Sequence, residues 1–463
     1  MRRVHVLIAF LIVGYMLSIW NFILTPKYII VFGMKGLIVS LIPMALALAL
    51  IYFEMESTKR TKYLMYEFFV KASRTPGVAL TLLLFLTIML SVTAYYSSFA
   101  ISRAAGLGQF YIVLLAILTL LASALLLLIA KGKTLEFISA VSVLFIIFSI
   151  VTVILIRSEA TAQITNKDSL LYLTQTMESL KSFDHKMTFA SIVQLLLITL
   201  VGFGLGAGFY YVLGSFIPED MDTKKVIAGV LVLQVLLSFV AALIVVYSLG
   251  FAHQSYRASF TNLAESPEKS FEMYRQFNML LVYTRNSTAT PLESINAIYS
   301  IPIILKEGGI EGASKIIWLL MLSIYFAGLT TIIPLMEIGS HAASEIMQLG
   351  RKRGIFAISL LSMLLVALMY IQPIKAVILG VPFSIILIMA AMEALPIITS
   401  RRVFDESVRG LVEILFGLFL LLGLFGLYFA FIKGTLYVKL GAVIGLILLI
   451  PIAFNNLLLK PKG

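Results

Sequence analysis

Apolar residues in this chain gather into long runs separated by short polar segments. Neither strand-like alternation nor a narrow amphipathic stripe dominates. About 20 apolar residues in a helix cross the hydrocarbon of a bilayer. By that measure about twelve helical spans are predicted, centred near residues 14, 42, 88, 119, 145, 203, 238, 327, 361, 387, 420 and 447. The sixth run, Gln194 to Phe216, is unusual. It is long and apolar enough to span, yet Gly202, Gly204, Gly206 and Gly208 occupy every second position in its middle. Each glycine costs a helix about 1 kcal/mol relative to alanine, so the cluster marks a place where the helix opens. Open backbone within a membrane is tolerated only beside protein or a water-filled cavity, and transporters bind solutes and ions at such breaks. The pairs Gly202/Gly206 and Gly204/Gly208 equally fit a close helix contact, so the pattern alone leaves both readings open.

Composition agrees with an all-α polytopic membrane protein. Hydrophobic residues make up 60% and charged residues 13%, far from a soluble domain. Cysteine is absent, which excludes disulfide and thiol chemistry. The Met1-Arg2-Arg3 start resembles a signal peptide but lacks a small-residue cleavage site, so a retained first helix is expected.

The net charge of +12 depends on where its bases lie. An even number of spans puts both termini on one side. With that side cytoplasmic, the inner segments hold Arg2, Arg3, Lys59, Arg60, Lys62, Lys71, Arg74, Lys131, Lys133, Lys224, Lys225, Arg351, Lys352, Arg353, Arg401, Arg402, Arg409, Lys460 and Lys462. The short outer segments hold only Lys27, Lys35, Arg103, Lys375, Lys433 and Lys439. This satisfies the positive-inside rule. The expected location is the cell membrane, with both termini cytoplasmic and no nucleic-acid partner; oligomeric state is not readable. Two long outer segments, 157–187 and 252–312, read as partly helical caps over the outer mouth, with an apolar patch at Ala297-Ile298-Tyr299-Ser300-Ile301-Pro302. Asn286-Ser287-Thr288 fits a glycosylation acceptor, a triplet that arises often by chance.

An ordered series of motifs resembles the neurotransmitter:sodium symporter family, to which the bacterial leucine transporter belongs. The series comprises Trp20-Asn21-Phe22 with Pro26, Phe53-Glu54, Tyr95-Tyr96, Lys131-Gly132-Lys133, Gln194, Gly202-Phe203-Gly204 and Phe326-Ala327-Gly328-Leu329-Thr330-Thr331. It covers most of the first ten spans; the last two match only as apolar helices. The resemblance implies two inverted five-helix repeats with spans 1 and 6 broken, and alternating access driven by sodium. The expected division is 1–156 for the first repeat, 157–187 for an outer loop, 188–400 for the second repeat and 401–463 for two added helices.

The resemblance also implies sites. A firmer sodium site comprises the Thr330 and Thr331 hydroxyls with the carbonyls of Gly14, Leu17 and Ala327, the oxygen-rich set a hard cation requires. Without the resemblance, both threonines read as bonding back to their own helix. A second, doubtful sodium site comprises Met16, Asn21 and Gln234; Ile198 stands there in place of a hydroxyl. Chloride is left open, with Gln194 and Ser238 as matching ligands. The solute pocket is expected from Asn21, Val92, Tyr96, Leu197, Leu200, Phe203, Thr331 and Leu335, an almost wholly apolar set that suits a small apolar solute and equally suits plain packing. Span 1 departs from the family: Trp20 stands where small residues would admit a carboxylate. The outer-gate positions hold Leu24 and Ile378, so closure there is apolar. Glu345 matches the inner-gate carboxylate, with Arg2 or Arg3 as partner. Glu54 and Glu393 match a pair of carboxyls close enough to share a proton.

Ionisable groups within spans are functional candidates by default. Glu337, His341 and Glu345 lie on one stripe of span 8, with Glu337 about 9 Å along the axis from Thr331. The leading expectation is a sodium-coupled symporter of a small apolar amino acid or related solute. Proton coupling through Glu337 is one alternative, and a transporter-like sensor without turnover is another. A membrane enzyme is not expected: His5, His185, His253 and His341 are scattered, without metal-ligand or nucleophile–base spacing.

Overall fold

The computed structural model describes residues 3–130, 133–261, 267–287, 290–400 and 403–459. Arg2, Lys131, Gly132, Thr288, Arg401, Arg402, Lys460 and Lys462, named above, lie outside them. The described residues form helices and connecting turns, with no strand among them.

Nine of the described helices are long and apolar enough to cross a membrane. One of them, Ile19–Thr61, holds two spans joined at Gly33. Gly33 has φ 60° and ψ −149°, a region open essentially only to glycine. A Cβ there would lie 2.4 Å from the Ser182 carbonyl, which accepts the Met34 N–H at 3.1 Å. The 157–187 segment therefore braces the turn between spans 1 and 2. Spans 3, 4 and 5 are Pro76–Ala104, Gln109–Ile129 and Thr134–Gln163; spans 7 and 8 are Thr223–Thr261 and Ala313–Ile346; spans 9 to 12 are Arg351–Leu368, Gln372–Thr399, Glu406–Lys433 and Leu436–Ile447 with its continuation Ile450–Ala453. With the two broken spans, these helices account for every expected centre.

Span 1 is Arg3–Met16, a non-helical step at Leu17 and Ser18, and then the helix that starts at Ile19. Span 6 is Phe189–Gly202, a non-helical 203–208 and Phe209–Phe216. Gly204, Gly206 and Gly208 have φ of 66°, 86° and 72°. The every-second spacing of these glycines is thus the spacing of positive φ, and the segment is an opened helix, with no continuous Gly-x-x-x-Gly contact face.

The expected loop boundaries shift. Span 5 continues past 156 to Gln163, and span 7 continues past 252 to Thr261. The segments beyond them are largely helical: Lys167–Lys181, capped by the Asn166 side chain, then Pro267–Arg285, Pro291–Ser294, Ala297–Ser300 and Ile301–Glu307. All lie at the end of the bundle termed here the loop face; the opposite end is the terminal face.

Burial separates the spans into core and rim. The apolar windows of spans 3, 8 and 10 are 83%, 72% and 72% buried, those of spans 11 and 12 only 22% and 17%. Span 8 packs against spans 3 and 5, span 9 against span 4, and spans 11 and 12 against span 10. The rim carries exposed Phe110, Leu118, Ile154, Leu364, Ile414 and Leu421, a surface stable only against lipid. The chain is a multi-pass membrane protein.

Candidate functional site

A helix leaves its last four carbonyls without intrahelical donors, and both breaks expose such ends inside the bundle. In the first half of span 1, the Val13 carbonyl accepts the Leu17 N–H (2.9 Å). The Gly14 carbonyl accepts the Thr330 hydroxyl (2.8 Å), and the Met16 carbonyl accepts the Asn21 side-chain amide (2.5 Å). In span 6, the carbonyls of Thr199, Leu200 and Val201 accept the N–H groups of Phe203, Leu205 and Gly204. Beyond them the two breaks meet. Ser18 donates its hydroxyl to the Gly202 carbonyl (2.6 Å), Tyr15 donates to Gly204 (3.0 Å), and Tyr210 donates to Phe203. The N–H groups of Gly206 and Gly208 donate to the Glu393 carboxylate at 2.5 and 2.7 Å. Glu54, the other carboxyl read from the sequence, is fully buried, and neither of its carboxyl oxygens has a hydrogen-bond partner among the described residues.

Four residues of the firmer ion set, Gly14, Ala327, Thr330 and Thr331, lie together where spans 1, 5 and 8 touch; the fifth, Leu17, lines a small void with Asn21 and Gln234. Thr330 Oγ1 is 2.8 Å from the Gly14 carbonyl and 2.9 Å from that of Ala327; Thr331 Oγ1 is 3.2 Å from the same Ala327 oxygen. Both threonines are buried. Thr330 thus bonds back to its own helix and also across to span 1. A Cβ on Gly14 would lie 2.1 Å from Ser142 Oγ, so span 5 brings a further hydroxyl that the sequence did not single out.

The doubtful set is also gathered, in a different arrangement. The amide of Asn21 binds the Met16 carbonyl, its oxygen accepts the Thr25 hydroxyl (3.3 Å), and Gln234 donates to Ser238 (3.3 Å). Leu17, Asn21, Gln234 and Ser238 line a void of about 10 Å³, room for about one water. Gln194 lies apart from that lining, its side-chain oxygen accepting the Tyr28 hydroxyl at 2.9 Å.

Of the expected solute-pocket residues, Val92, Tyr96, Leu200, Phe203, Thr331 and Leu335 are buried and Leu197 is half-buried. Trp20 fills the place beside them. Its indole N–H donates to Thr93 (3.2 Å), and its ring meets Tyr96 edge-on at 5.7 Å. Toward the loop face an aromatic lid closes the way: Tyr299 stacks on Phe99 at 4.4 Å and donates to the Tyr96 carbonyl at 2.8 Å. The apolar 297–302 patch, which includes Tyr299, forecast a cap here, but its stacking on Phe99 and its anchor on the Tyr96 carbonyl were not forecast. The gate positions Leu24 and Ile378 are buried as well. Above the lid opens a cavity of about 300 Å³, with Tyr95, Phe99, Arg103, Arg275, Tyr299 and Lys375 in its lining. Lys27, assigned above to an outer loop, is instead buried in span 1, with its ammonium on the Ser294 hydroxyl (2.8 Å).

At the terminal face the expected partner of Glu345 is not made by Arg3, which pairs instead with Glu136 of span 5 (2.7 Å). The Arg3 chain starts beside span 5, and Glu345 sits against the short Met65–Glu67 helix, where the Tyr66 backbone N–H reaches it. Arg2 lies outside the described residues. Glu337 is held by Arg351, whose Nη2 lies 2.8 and 2.9 Å from the two carboxylate oxygens, and His341 is 3.1 Å away. Among the described residues no cluster of three or more metal-ligating His, Cys, Asp or Glu side chains occurs.

No family model matches the chain, and no curated protein matches it in sequence. Its architecture is nonetheless that of a solved structure, MhsT in complex with L-phenylalanine. The two align over 99% of this chain and 98% of that one, with a TM-score of 0.59 and 13% sequence identity. At that identity the likeness establishes the fold, and the chain has the fold of MhsT.

Proposed function

We propose that this protein is a sodium-coupled secondary transporter, moving a small apolar amino acid or related solute by alternating access. One observation carries the reading. Two broken spans meet in the middle of the bundle, and Thr330 of a third donates its hydroxyl to the carbonyl that the first break frees at Gly14, with the Thr331 hydroxyl beside it on the Ala327 carbonyl that Thr330 also reaches. In this role the hydroxyls turn their lone pairs to the cation and, with the carbonyls of Gly14, Leu17 and Ala327, supply the oxygens a hard cation selects. The opened backbone at 203–208 gives span 6 a joint at which its halves can move separately. Met16, Asn21 and Gln234 form at most a weaker second site, because the Asn21 amide and the Met16 carbonyl already bind each other. Proton coupling through Glu337 is the poorer reading: a carboxylate gripped by Arg351 through two oxygens releases and takes up protons with difficulty.

The test is thermal stabilisation of the purified protein by a solute panel in sodium and in potassium, with uptake into liposomes. Solute binding is expected to be tighter in sodium, and Thr330→Val with Thr331→Val to erase the difference. A sodium preference that survives the double substitution would sink the ion assignment. Binding without exchange would make the protein a sensor.

A further inference from the structure

We propose that the solute carries a carboxylate and no ammonium group: a small apolar organic anion, drawn in through the loop-face cavity. This rests on the transporter reading and narrows its substrate. The cavity, about 300 Å³, is of small-molecule size. Among the described residues every charged one in its lining is basic: Arg103 from span 3, Arg275 from the Pro267–Arg285 helix and Lys375 from span 10. Arg275 is engaged by Glu272 at 3.2 Å, a residue outside the lining. Among the described residues Arg103 and Lys375 have no carboxylate within ion-pair distance. They lie over rings instead, Arg103 over Phe99 at 4.8 Å and Lys375 over Tyr95 at 5.5 Å. The Nε of Arg103 is buried without a hydrogen-bond partner, which is costly unless something supplies an acceptor. Tyr95, Phe99 and Arg103 follow one another at four-residue steps on one face of span 3. That face pairs an aromatic floor with a cation at its end, matching an apolar body that ends in a carboxylate. A zwitterion would bring its ammonium to a lining whose described residues include no acid.

The breaks beyond the lid tell the same way, by a separate observation. Backbone carbonyls freed at a broken helix are the natural acceptors for an ammonium. Here those of Gly202, Phe203 and Gly204 each take a hydroxyl of the chain itself, from Ser18, Tyr210 and Tyr15. The Tyr15 ring fills the approach to Gly204, where a Cβ would lie 2.5 Å from its oxygen. The two nearby carboxyls, Glu54 and Glu393, are fully buried and line neither described cavity, and Glu393 already holds two N–H groups.

Matched compounds test this on the purified full chain. Phenylpropionate and isocaproate are compared with the amino acids of the same skeletons, phenylalanine and leucine, and with phenylethylamine, by thermal shift and competition. The acids should bind about tenfold or more tightly than their amino acids, and the amine should not bind. Arg103→Gln and Lys375→Gln should each weaken the acids about tenfold, the range of one charge-assisted contact. Arg103→Lys should retain most of the affinity, and Lys433→Gln, at an exposed residue remote from the lining, should change nothing. The proposal fails if an amino acid binds as tightly as its acid, if neither acid binds, or if both charge-removing variants leave acid binding unaltered. If Arg103→Gln does not fold, Lys375→Gln decides alone. Acid binding without uptake into liposomes would remove the transporter reading and leave the anion site standing; uptake of amino acids but not acids would do the reverse.

Discussion

Glu393 shows how much of the centre depends on single groups. Its two oxygens hold the N–H groups of Gly206 and Gly208, and its backbone carbonyl accepts the Tyr211 hydroxyl. A carboxylate can accept from both glycines, whereas an amide has one accepting oxygen and turns N–H against N–H at the other. Glu393→Gln should therefore destabilise the protein by about 1–3 kcal/mol, read as a lowered melting temperature of the purified protein. An unchanged melting temperature would mean the break is held elsewhere. Tyr15→Phe should cost about 1 kcal/mol, because it frees one acceptor, the Gly204 carbonyl, and leaves the ring stacked on Phe209. At this scale the sequence was only partly legible. Thr330 and Thr331 were singled out, and the paired carboxyls named, only through the family resemblance. Ser18, Tyr15 and Tyr210 were not, since a hydroxyl's partner depends on which turn of another span faces it.

The element that organises the fold is the opened stretch of span 6, and its glycines are not interchangeable with others in the chain. At Gly206, φ is 86° and an added Cβ would lie 2.9 Å from Met389 Cβ and from the Phe85 ring. Alanine there is strained by its backbone and by its neighbours. Gly229, early in span 7, has helical surroundings and nothing within 4 Å of such a Cβ. Gly206→Ala should thus lower the melting temperature and the folded yield in detergent, while Gly229→Ala should be neutral or stabilise by up to about 1 kcal/mol. Equal effects at the two sites would show that span 6 tolerates a closed helix. The break was only half legible: glycine at alternate positions marks a place where a helix can open, but the same glycines fit a close helix contact, and the positive φ at Gly204, Gly206 and Gly208 decides between them. The loop helices were legible only in outline, as partly helical caps without bounds. Lys167–Lys181 is polar enough to read as loop, and its packing against spans 2 and 7 arises from contacts distant in sequence.

The whole molecule is polarised, and that polarity is open to a direct test. The loop face carries the aromatic lid and the basic cavity; the terminal face carries the Arg3–Glu136 and Arg351–Glu337 pairs. The distribution of lysine and arginine predicts that the terminal face is cytoplasmic. Because the chain has no cysteine, one introduced thiol reports one position without a background. Lys181 and Lys352 are both exposed, at opposite faces. In intact cells Lys181→Cys should react with a membrane-impermeant maleimide, and Lys352→Cys only after permeabilisation; the reverse pattern would invert the topology. The same approach reaches the transport cycle. Met279 lines the cavity above the lid, so Met279→Cys should be labelled from outside at a rate that depends on the state of Tyr299 and Phe99. Under the sodium reading, adding sodium without solute should change that rate in the wild-type background and leave it unchanged when Thr330 and Thr331 are both valine. Only a mechanical link from the ion position through span 8 to the lid produces that dependence, because span 8 packs on span 3, which carries Tyr96 and Phe99, the two residues that hold Tyr299.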